Sequence, residues 1–294
     1  MTRNEKILAH IPRRAKILEI GPGYSPVLTR SSGWDVYTLD HASADELRSK
    51  YANADVDTSR IEAVDFIWRG GPLELAVPPI HHGTFDACIG SHLIEHMPDI
   101  ISFFQSLRRL VTPAGVVSLV VPDKRFCFDF FQPITMTGDV LEAYRAKRDR
   151  HTSTAVFNAA TNMVRAGGLV SWGQQPTGPL TFEDGNLQAA NESFFAKDES
   201  HEYRDVHGWY FTPSSFRLII MELGWMGHID FAEISRAETV NCEFFVTLGF
   251  GKPKLTDDQF RTLRMDLLIN ILLEFREQTD FLIDGSNFVG RLGR

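Results

Sequence analysis

The sequence is poor in cysteine, has no excess of basic residues and lacks long apolar runs. Three cysteines in 294 residues cannot cross-link a chain of this size. Cys88, Cys127 and Cys242 lie far apart in largely apolar surroundings, so we expect buried free thiols in a reducing cytosol. Thirty basic residues against 38 acidic ones give a net charge of −8, which argues against a protein that coats nucleic acid without sequence preference.

No segment has the character of a signal peptide or a membrane span. The N-terminal stretch carries charges every few residues, whereas a signal peptide has an unbroken apolar core. The longest apolar runs, such as residues 116–122, fall far short of the ~20 residues that span a bilayer. Hydrophobic residues make up 43% of the chain, which excludes intrinsic disorder. We therefore expect a cytoplasmic protein with no membrane partner.

Apolar runs typical of strands alternate with helical patterns over about the first 125 residues. The predicted strands are 16–20, 35–39, 62–66, 84–89 and 116–121, and the predicted helices are 43–52 and 99–111, the second ended by a break at residues 112–115. Further helices are predicted at 139–149, 154–166, 212–223, with an end at Gly224, and 256–275, and a frayed end is predicted at 285–294. Two more strands, 229–235 and 243–250, are joined by a short polar segment that suits a hairpin. This alternation predicts an α/β fold with a mostly parallel sheet and helices on both faces.

A glycine-rich turn, EIGPGYSP, follows the first predicted strand. Gly21 and Gly23 lack side chains, so a ligand can approach the backbone at this turn. The dinucleotide fingerprint G-x-G-x-x-G fails, because Pro26 stands where its third glycine is required. The carboxylate of Glu19 suits a ligand with a cationic amino group, such as S-adenosylmethionine. Asp40 ends the second strand at a spacing from which a carboxylate reaches ribose hydroxyls.

These motifs, taken in order, resemble those of the class I S-adenosylmethionine-dependent methyltransferases. The resemblance covers residues 15–121 through EIGPG, YTLD, AVDF, FDACIGSHLIEHMPD and TPAG, the last with Ala114 where glycine is usual. It implies a Rossmann-like sheet with an antiparallel last strand, and S-adenosylmethionine as cofactor. It also implies that Asp65 and Phe66 line the adenine, and that the segment after the fourth strand touches the methionine part. The residues predicted to bind the cofactor are Glu19, Gly21, Pro22, Gly23, Asp40, Asp65, Phe66, Ser91, His92, Leu93 and His96.

The spacing of His92, Glu95 and His96 also resembles the inverted zinc motif H-x-x-E-H. A zinc site needs a third protein ligand and an open position. The position of the segment directly after a strand favours the methyltransferase interpretation, so the sequence predicts no metal.

Charged residues follow the fifth strand, where they would lie at the rim of the site. Lys124 and Arg125 could hold an anionic acceptor, such as a carboxylate or a sugar phosphate. The residues predicted to bind substrate are Lys124, Arg125, Asp129, His151 and Trp209.

A histidine near Asp205 is the predicted general base. Methylation of a hydroxyl requires removal of its proton, and a histidine with a near-neutral pKa suits this role. His207 and Asp123 are therefore the predicted catalytic residues, with His151 and His201 as further candidates for the base.

The motifs divide the chain into a core, an insertion and a tail. The core comprises residues 1–129 and 211–252, an irregular region at 130–210 forms an inserted acceptor-binding lid, and residues 253–294 form a C-terminal helix and frayed tail. A narrower resemblance, through VDFIWRGGPL, SHLIEH, VPDKRFCFDFF and DVHGWYFTPSSF, is to bacterial methyltransferases of glycan pathways.

The sequence therefore predicts methyl transfer to an oxygen or nitrogen of a small-molecule or glycosyl acceptor, with a nucleic-acid substrate disfavoured by the acidic charge. A nicotinamide-dependent oxidoreductase and a non-catalytic module that binds an adenosyl ligand remain alternatives. The oligomeric state is left open.

Overall fold

The computed structural model describes residues 1–54, 56–174, 178–183, 185–196, 203–252 and 254–284. Its strands are β1 (Lys16–Ile20), β2 (Asp35–Asp40), β3 (Phe66–Ile67), β4 (Phe85–Ser91), β5 (Val111–Pro122), β6 (Val164–Ala166), β7 (Leu180–Phe182), β8 (Phe231–Val240) and β9 (Glu243–Phe250). Its α-helices are α1 (Arg3–Ile7), α2 (Ala44–Lys50), α3 (Ile100–Leu110), α4 (Thr137–Arg145), α5 (Ser153–Asn162), α6 (Leu187–Phe195), α7 (Pro213–Met226) and α8 (Asp257–Asp284).

Seven strands form one sheet in the order β3-β2-β1-β4-β5-β9-β8. The first five pair in parallel, whereas β9 runs antiparallel to both β5 and β8. This arrangement confirms the predicted mostly parallel sheet with an antiparallel last strand. The strand order reverses between β1 and β4, and ligands of open α/β sheets bind at such a switch point, outside the carboxyl ends of the strands.

The central strands are buried on both faces, as parallel sheets require. In β1, Leu18 packs into a core with α3 and α7, whereas Ile17 packs into a second core with α1. α3 begins at its N-cap Asp99, whose carboxylate accepts a hydrogen bond from the Ser102 N–H. The two cores fix the carboxyl edge of the sheet, and with it the position of the glycine turn.

Several strand predictions were wrong in their limits, those of β3 and β5 among them. β3 is only two residues long, because Asp65 and Ala63 bind Thr38 of β2 largely through side-chain groups instead of a regular ladder. β5 already begins at Val111, so the predicted break at residues 112–115 lies inside an irregular strand. Gly115 permits this course, since a Cβ there would come 2.8 Å from the Asp86 carbonyl oxygen.

The ends of several helices also differ from the prediction. α7 ends at Met226 and is capped by Gly227, which has a left-handed φ of 78°, whereas the sequence predicted an end at Gly224. The helix predicted at residues 154–166 is divided into α5 and the strand β6, which pairs with β7. α8 extends to Asp284, beyond the predicted end near residue 275.

The region from 130 to 210 contains α4, α5, α6 and the β6–β7 hairpin. α4 packs against α3 and α7, and α5 packs against α6. α8 packs on α7 through Leu267 and Ile271 against Leu218 and Met221. The predicted frayed end at residues 285–294 and the candidate base His201 lie outside the described residues.

The three cysteines are free thiols, with Cys88 and Cys127 buried and Cys242 half-buried. Among the described helices, none combines the length and the apolar character that crossing a bilayer requires.

Candidate active site

The glycine turn leaves bare backbone at the carboxyl end of β1. Gly21 and Gly23 have left-handed φ values of 68° and 50°, which glycine adopts without strain. The Gly21 N–H donates to the Leu39 carbonyl oxygen of β2 at 2.8 Å, which fixes the turn against the neighbouring strand. A Cβ at Gly21 would come 3.2 Å from Cδ1 of Leu93. A side chain at Gly21 would therefore press on Leu93 in the segment after β4.

Asp40 joins the glycine turn to the end of β2. Its side chain is buried; Oδ2 accepts the Gly23 N–H at 2.9 Å and Oδ1 accepts the His41 N–H at 2.7 Å. The His41 ring Nδ1 also lies 2.6 Å from Oδ1. A carboxylate has about four acceptor sites, so these three contacts leave capacity for one more partner, such as a ligand's hydroxyl group.

A cavity of about 600 Å³ lies at this edge of the sheet. This volume is within the ~300–1,000 Å³ typical of small-molecule sites. Residues from the core line one part of it: Ile20, Gly21, Gly23, Leu39, Asp40, His41, Tyr51, Trp68, Arg69, Gly70, Gly71, His92, Leu93, His96 and Met97. Four residues from the insertion line the rest: Asp149, Arg150, Tyr203 and Asp205.

Six of the eleven predicted cofactor residues line this cavity, namely Gly21, Gly23, Asp40, His92, Leu93 and His96. Pro22 instead lines a separate small cleft. The Ser91 hydroxyl accepts a hydrogen bond from Arg3 Nη2 at 2.7 Å, away from the cavity lining.

The predicted adenine residues also lie outside the cavity lining. Asp65 Oδ2 accepts hydrogen bonds from the Thr38 N–H at 2.8 Å and Arg30 Nη2 at 2.6 Å. The Phe66 ring stacks on Tyr37, with ring centroids 6.1 Å apart. The structure places Trp68 and the two glycines of WRGG at the cavity instead. A large aromatic residue followed by glycines after a strand was the available sequence signal.

Glu19 faces the loop after the glycine turn and does not line the cavity. Its carboxylate accepts the N–H groups of Val27 at 2.6 Å and Leu28 at 3.1 Å. Burial raises the pKa of Glu19 to about 7, although the two N–H groups act in the opposite direction. Glu19 therefore holds the loop in place, instead of meeting a cationic ligand as the sequence predicted.

Glu19 should make stability depend on pH. Its carboxyl binds a proton more tightly in the folded state, since the folded pKa lies above the unfolded value. The resulting stability is present at low pH and lost as the pH rises from about 4.5 through about 7. We expect the free energy of unfolding of the wild type to fall by up to about 3 kcal/mol relative to Glu19→Gln over this range. Urea unfolding at a series of pH values measures the difference.

Glu238→Gln is the matched control, because the Glu238 side chain is 85% exposed. Its pH profile should follow that of the wild type. Parallel profiles for the wild type and Glu19→Gln would contradict the assignment of this carboxyl.

Asp123 is not placed for catalysis. It is fully buried, and its carboxylate pairs with Arg125 through Nη2–Oδ2 at 2.6 Å and Nε–Oδ1 at 2.9 Å. The Thr239 hydroxyl also donates to Oδ2 at 2.7 Å. The geometry therefore contradicts the predicted catalytic role of Asp123, because Arg125 and Thr239 already bind its carboxylate.

Lys124 and Arg125 bind the C-terminal helix α8. Lys124 Nζ donates to the Phe130 carbonyl oxygen at 3.0 Å and to Gln278 Oε1 at 3.2 Å. Burial lowers the pKa of Lys124 to about 8. Arg125 also pairs with Glu277 of α8. Neither cation lines the cavity, so the sequence wrongly placed them at its rim.

Of the other predicted substrate residues, none lines the main cavity. The buried Trp209 indole donates to the Met97 carbonyl oxygen. His151 lines an adjacent cleft with Arg150, and burial lowers the pKa of its imidazole to about 4. Asp129 is buried and binds His207.

His207 lies behind the cavity wall between two carboxylates. Its Nδ1 is 2.5 Å from Asp129 Oδ2, and its Nε2 is 4.0 Å from Glu95 Oε1. Burial alone would lower the pKa of His207, but the carboxylates of Asp129, Glu95 and Asp205 together outweigh it and raise the pKa to about 9. The site therefore favours an imidazolium, whereas the sequence interpretation expected a near-neutral pKa.

His96 connects this group to the cavity. Its ring packs edge-on against His207, with centroids 4.6 Å apart, and its Nδ1 is 3.0 Å from Asp205 Oδ1. Lys50 Nζ donates to the other oxygen of Asp205 at 2.8 Å. The hydrogen bond with His96 is the largest cause that holds the pKa of Asp205 below its ordinary value.

The sheet order and a glycine turn beside a strand-end carboxylate define the Rossmann-like fold of the class I methyltransferases. The model of the methyltransferase domain family matches residues 3–225, and the chain belongs to this family. It is a methyltransferase whose cofactor is S-adenosylmethionine, which excludes the nicotinamide-dependent alternative. No protein of curated function matches the sequence.

Solved structures show similarity at low sequence identity. A Rhodobacter sphaeroides protein described as a zinc-dependent alcohol dehydrogenase is 12% identical, with 84% of this chain and 88% of its own covered and a TM-score of 0.45. The CcbJ methyltransferase of Streptomyces caelestis is 10% identical, and the match covers 85% of this chain and 97% of that protein with a TM-score of 0.44. A Mesorhizobium loti S-adenosylmethionine-dependent methyltransferase is 13% identical, with 83% and 97% covered and a TM-score of 0.41. Scores this low carry no argument about the acceptor.

Proposed function

We propose that the protein transfers the methyl group of S-adenosylmethionine to an oxygen or nitrogen of a small-molecule or glycosyl acceptor. The observation that carries this proposal is the composition of the cavity wall. The glycine turn and Asp40 line one part, and Arg150, Tyr203 and Asp205 of the insertion line another. A cofactor bound on the sheet edge would therefore face side chains from the insertion.

The residues at the sheet edge fit the cofactor. The bare backbone at Gly21 and Gly23 gives room for its methionine part, and Asp40 has acceptor capacity for a ribose hydroxyl. The Trp68 ring offers a flat apolar surface for the adenine. When bound, the cofactor supplies an electrophilic methyl group on a sulfonium.

The insertion supplies the proposed acceptor side. Its contribution to the wall includes a cation, carboxylates and a phenol, which suit hydrogen bonding to a polar acceptor with several hydroxyl or amino groups. The mixture of charges and the net charge of −8 disfavour a polyanionic nucleic acid. We therefore assign residues 130–210 to acceptor binding and to exclusion of water from the methyl group.

The test is release of S-adenosylhomocysteine by the full chain in the presence of S-adenosylmethionine. The acceptor panel contains sugars, glycosides and small alcohols and amines, with mixed peptides and RNA as comparison acceptors. We expect release and a matching methylated product with a member of the small-molecule set. Turnover only with peptides or RNA would overturn the acceptor class, and cofactor binding without turnover on any acceptor would support the non-catalytic alternative.

A further inference from the structure

The fully buried side chain of Glu95 lacks a hydrogen-bond partner for either carboxylate oxygen among the residues that the structure describes. Its nearest cationic candidates are His92 Nδ1 at 3.6 Å and His207 Nε2 at 4.0 Å from Oε1. Both distances exceed the range of a hydrogen bond. A buried carboxylate without a hydrogen bond is costly even with the His207 ring nearby, and a cation bound directly to it would offset this cost.

Glu95, His96 and His207 form the one group among the described residues whose potential metal-ligand atoms cluster, with all of these atoms within 4.8 Å of one another. Ligands bound to one ion at ~2.0–2.2 Å lie about 3–3.5 Å apart. Side-chain movements of about 1 Å would therefore bring these atoms into a coordination shell.

The surrounding carboxylates orient both histidines as they do in metal sites. Asp129 binds His207 at Nδ1, which leaves Nε2 toward Glu95. Asp205 is in contact with His96 at Nδ1. Metal-ligating histidines usually donate their second ring N–H to a carboxylate or carbonyl group in this way. His96 also lines the cavity, so an ion held here would border the acceptor space.

We propose that Glu95, His96 and His207 bind a divalent first-row transition-metal ion at the wall of the cofactor cavity. Two imidazoles and one carboxylate suit such ions and leave coordination positions open for an oxygen or nitrogen of the acceptor. The ion binds the neutral imidazole, so His207 would release its ring proton to solvent as the ion binds. The inference deepens the proposed function, because an ion at this place would orient the acceptor and favour loss of its proton to solvent.

The set differs from the H-x-x-E-H pattern seen in the sequence. The His92 ring turns away and places Nε2 2.9 Å from Glu243 Oε2. His207 comes from the segment just before α7 and takes the third position instead. Glu95 and His96 are neighbours in the sequence, and the fold brings His207 to them.

The experiment uses the full chain, freed of metal by a chelator and titrated with Mn²⁺ or Co²⁺ alone. Calorimetry and the visible spectrum of Co²⁺ report binding without cofactor, acceptor or turnover. We expect one equivalent to bind, and the dissociation constant to rise at least about 100-fold in His96→Ala and His207→Ala. Asp129→Asn, which alters only the orienting carboxylate, should raise it about 10–100-fold.

His10→Ala is the matched control, since His10 is exposed on the loop after α1. This variant should bind the ion as the wild type does. Circular dichroism checks that each variant is folded. If His207→Ala does not fold, His96→Ala still tests the site. Absence of stoichiometric binding, or equal affinity in all variants, would overturn the metal site. Binding of S-adenosylhomocysteine is measured separately, so failure of the metal site is distinct from failure of the methyltransferase proposal.

Discussion

Replacing Gly21 with arginine is expected to raise the dissociation constant for S-adenosylhomocysteine at least about 100-fold, or by ~2.7 kcal/mol. Gly21 lies at the tip of β1 with a left-handed φ of 68°, and a Cβ there would come 3.2 Å from Leu93 Cδ1. A long cationic side chain would enter the cavity at the position proposed for the methionine part. Isothermal titration calorimetry measures the affinity.

Gly83→Arg separates this effect from backbone strain. Gly83 has nearly the same conformation, with φ 65°, but a Cβ there would meet nothing within 4 Å, and the residue does not line the cavity. Both variants should therefore lose the stability that the strained backbone costs, whereas only Gly21→Arg should lose affinity. Unchanged affinity in Gly21→Arg would show that the cofactor site is misplaced.

Asp40→Ala tests the same site from the neighbouring strand. This substitution removes the proposed ribose acceptor and also the hydrogen bond to the Gly23 N–H, so we expect a comparable loss of affinity. Asp45→Ala is a suitable comparison, because the Asp45 carboxylate is 96% exposed on the surface of α2.

The sequence predicts the sheet well because local signals coincide with it. The run at 16–20 is bounded by lysine and a Gly-Pro-Gly turn, and β1 has the predicted limits. Asp99 and Thr212 begin α3 and α7 as N-caps, and capping residues act within a single helical turn. The predicted strand ends were wrong where side-chain hydrogen bonds replace the backbone ladder, as the bond from the Thr38 N–H to Asp65 does beside β3.

Side-chain direction was much harder to predict than position in the chain. Glu19 is the last residue but one of β1, Asp65 directly precedes β3, and Asp123 directly follows β5. Each nevertheless binds partners within the protein. Glu19 accepts the Val27 and Leu28 N–H groups, Asp65 binds Thr38 and Arg30, and Asp123 binds Arg125. A buried carboxylate must be satisfied, so whether it faces a ligand depends on which donors the tertiary fold brings near it.

The neighbours of His207 likewise could not be predicted from the sequence. Asp129 comes from the segment after β5, and the adjacent Glu95 and His96 come from the segment after β4. No local spacing relates either segment to His207. The sequence could indicate that a histidine beside aromatic residues precedes α7. It could not indicate that two carboxylates flank the imidazole or that His96 separates it from the cavity.

His207→Ala is expected to lower turnover by about 10²–10⁴-fold, the usual effect of removing a group that assists proton transfer. The dissociation constant for S-adenosylhomocysteine should change by less than about threefold, since His207 does not line the cavity. The loss should thus appear in kcat, with cofactor affinity preserved. Full activity would eliminate a catalytic role, and an equal loss of cofactor affinity would indicate a structural role.

The manner in which His207 acts can be resolved with the same variant. If the imidazole moves the proton itself, added imidazole should restore part of the turnover and metal content should not matter. If His207 holds an ion together with Glu95 and His96, saturating Mn²⁺ should restore more activity than imidazole does. In that case Asp129→Asn should show a milder form of the same defect, because it leaves the ring in place and removes the carboxylate 2.5 Å from Nδ1.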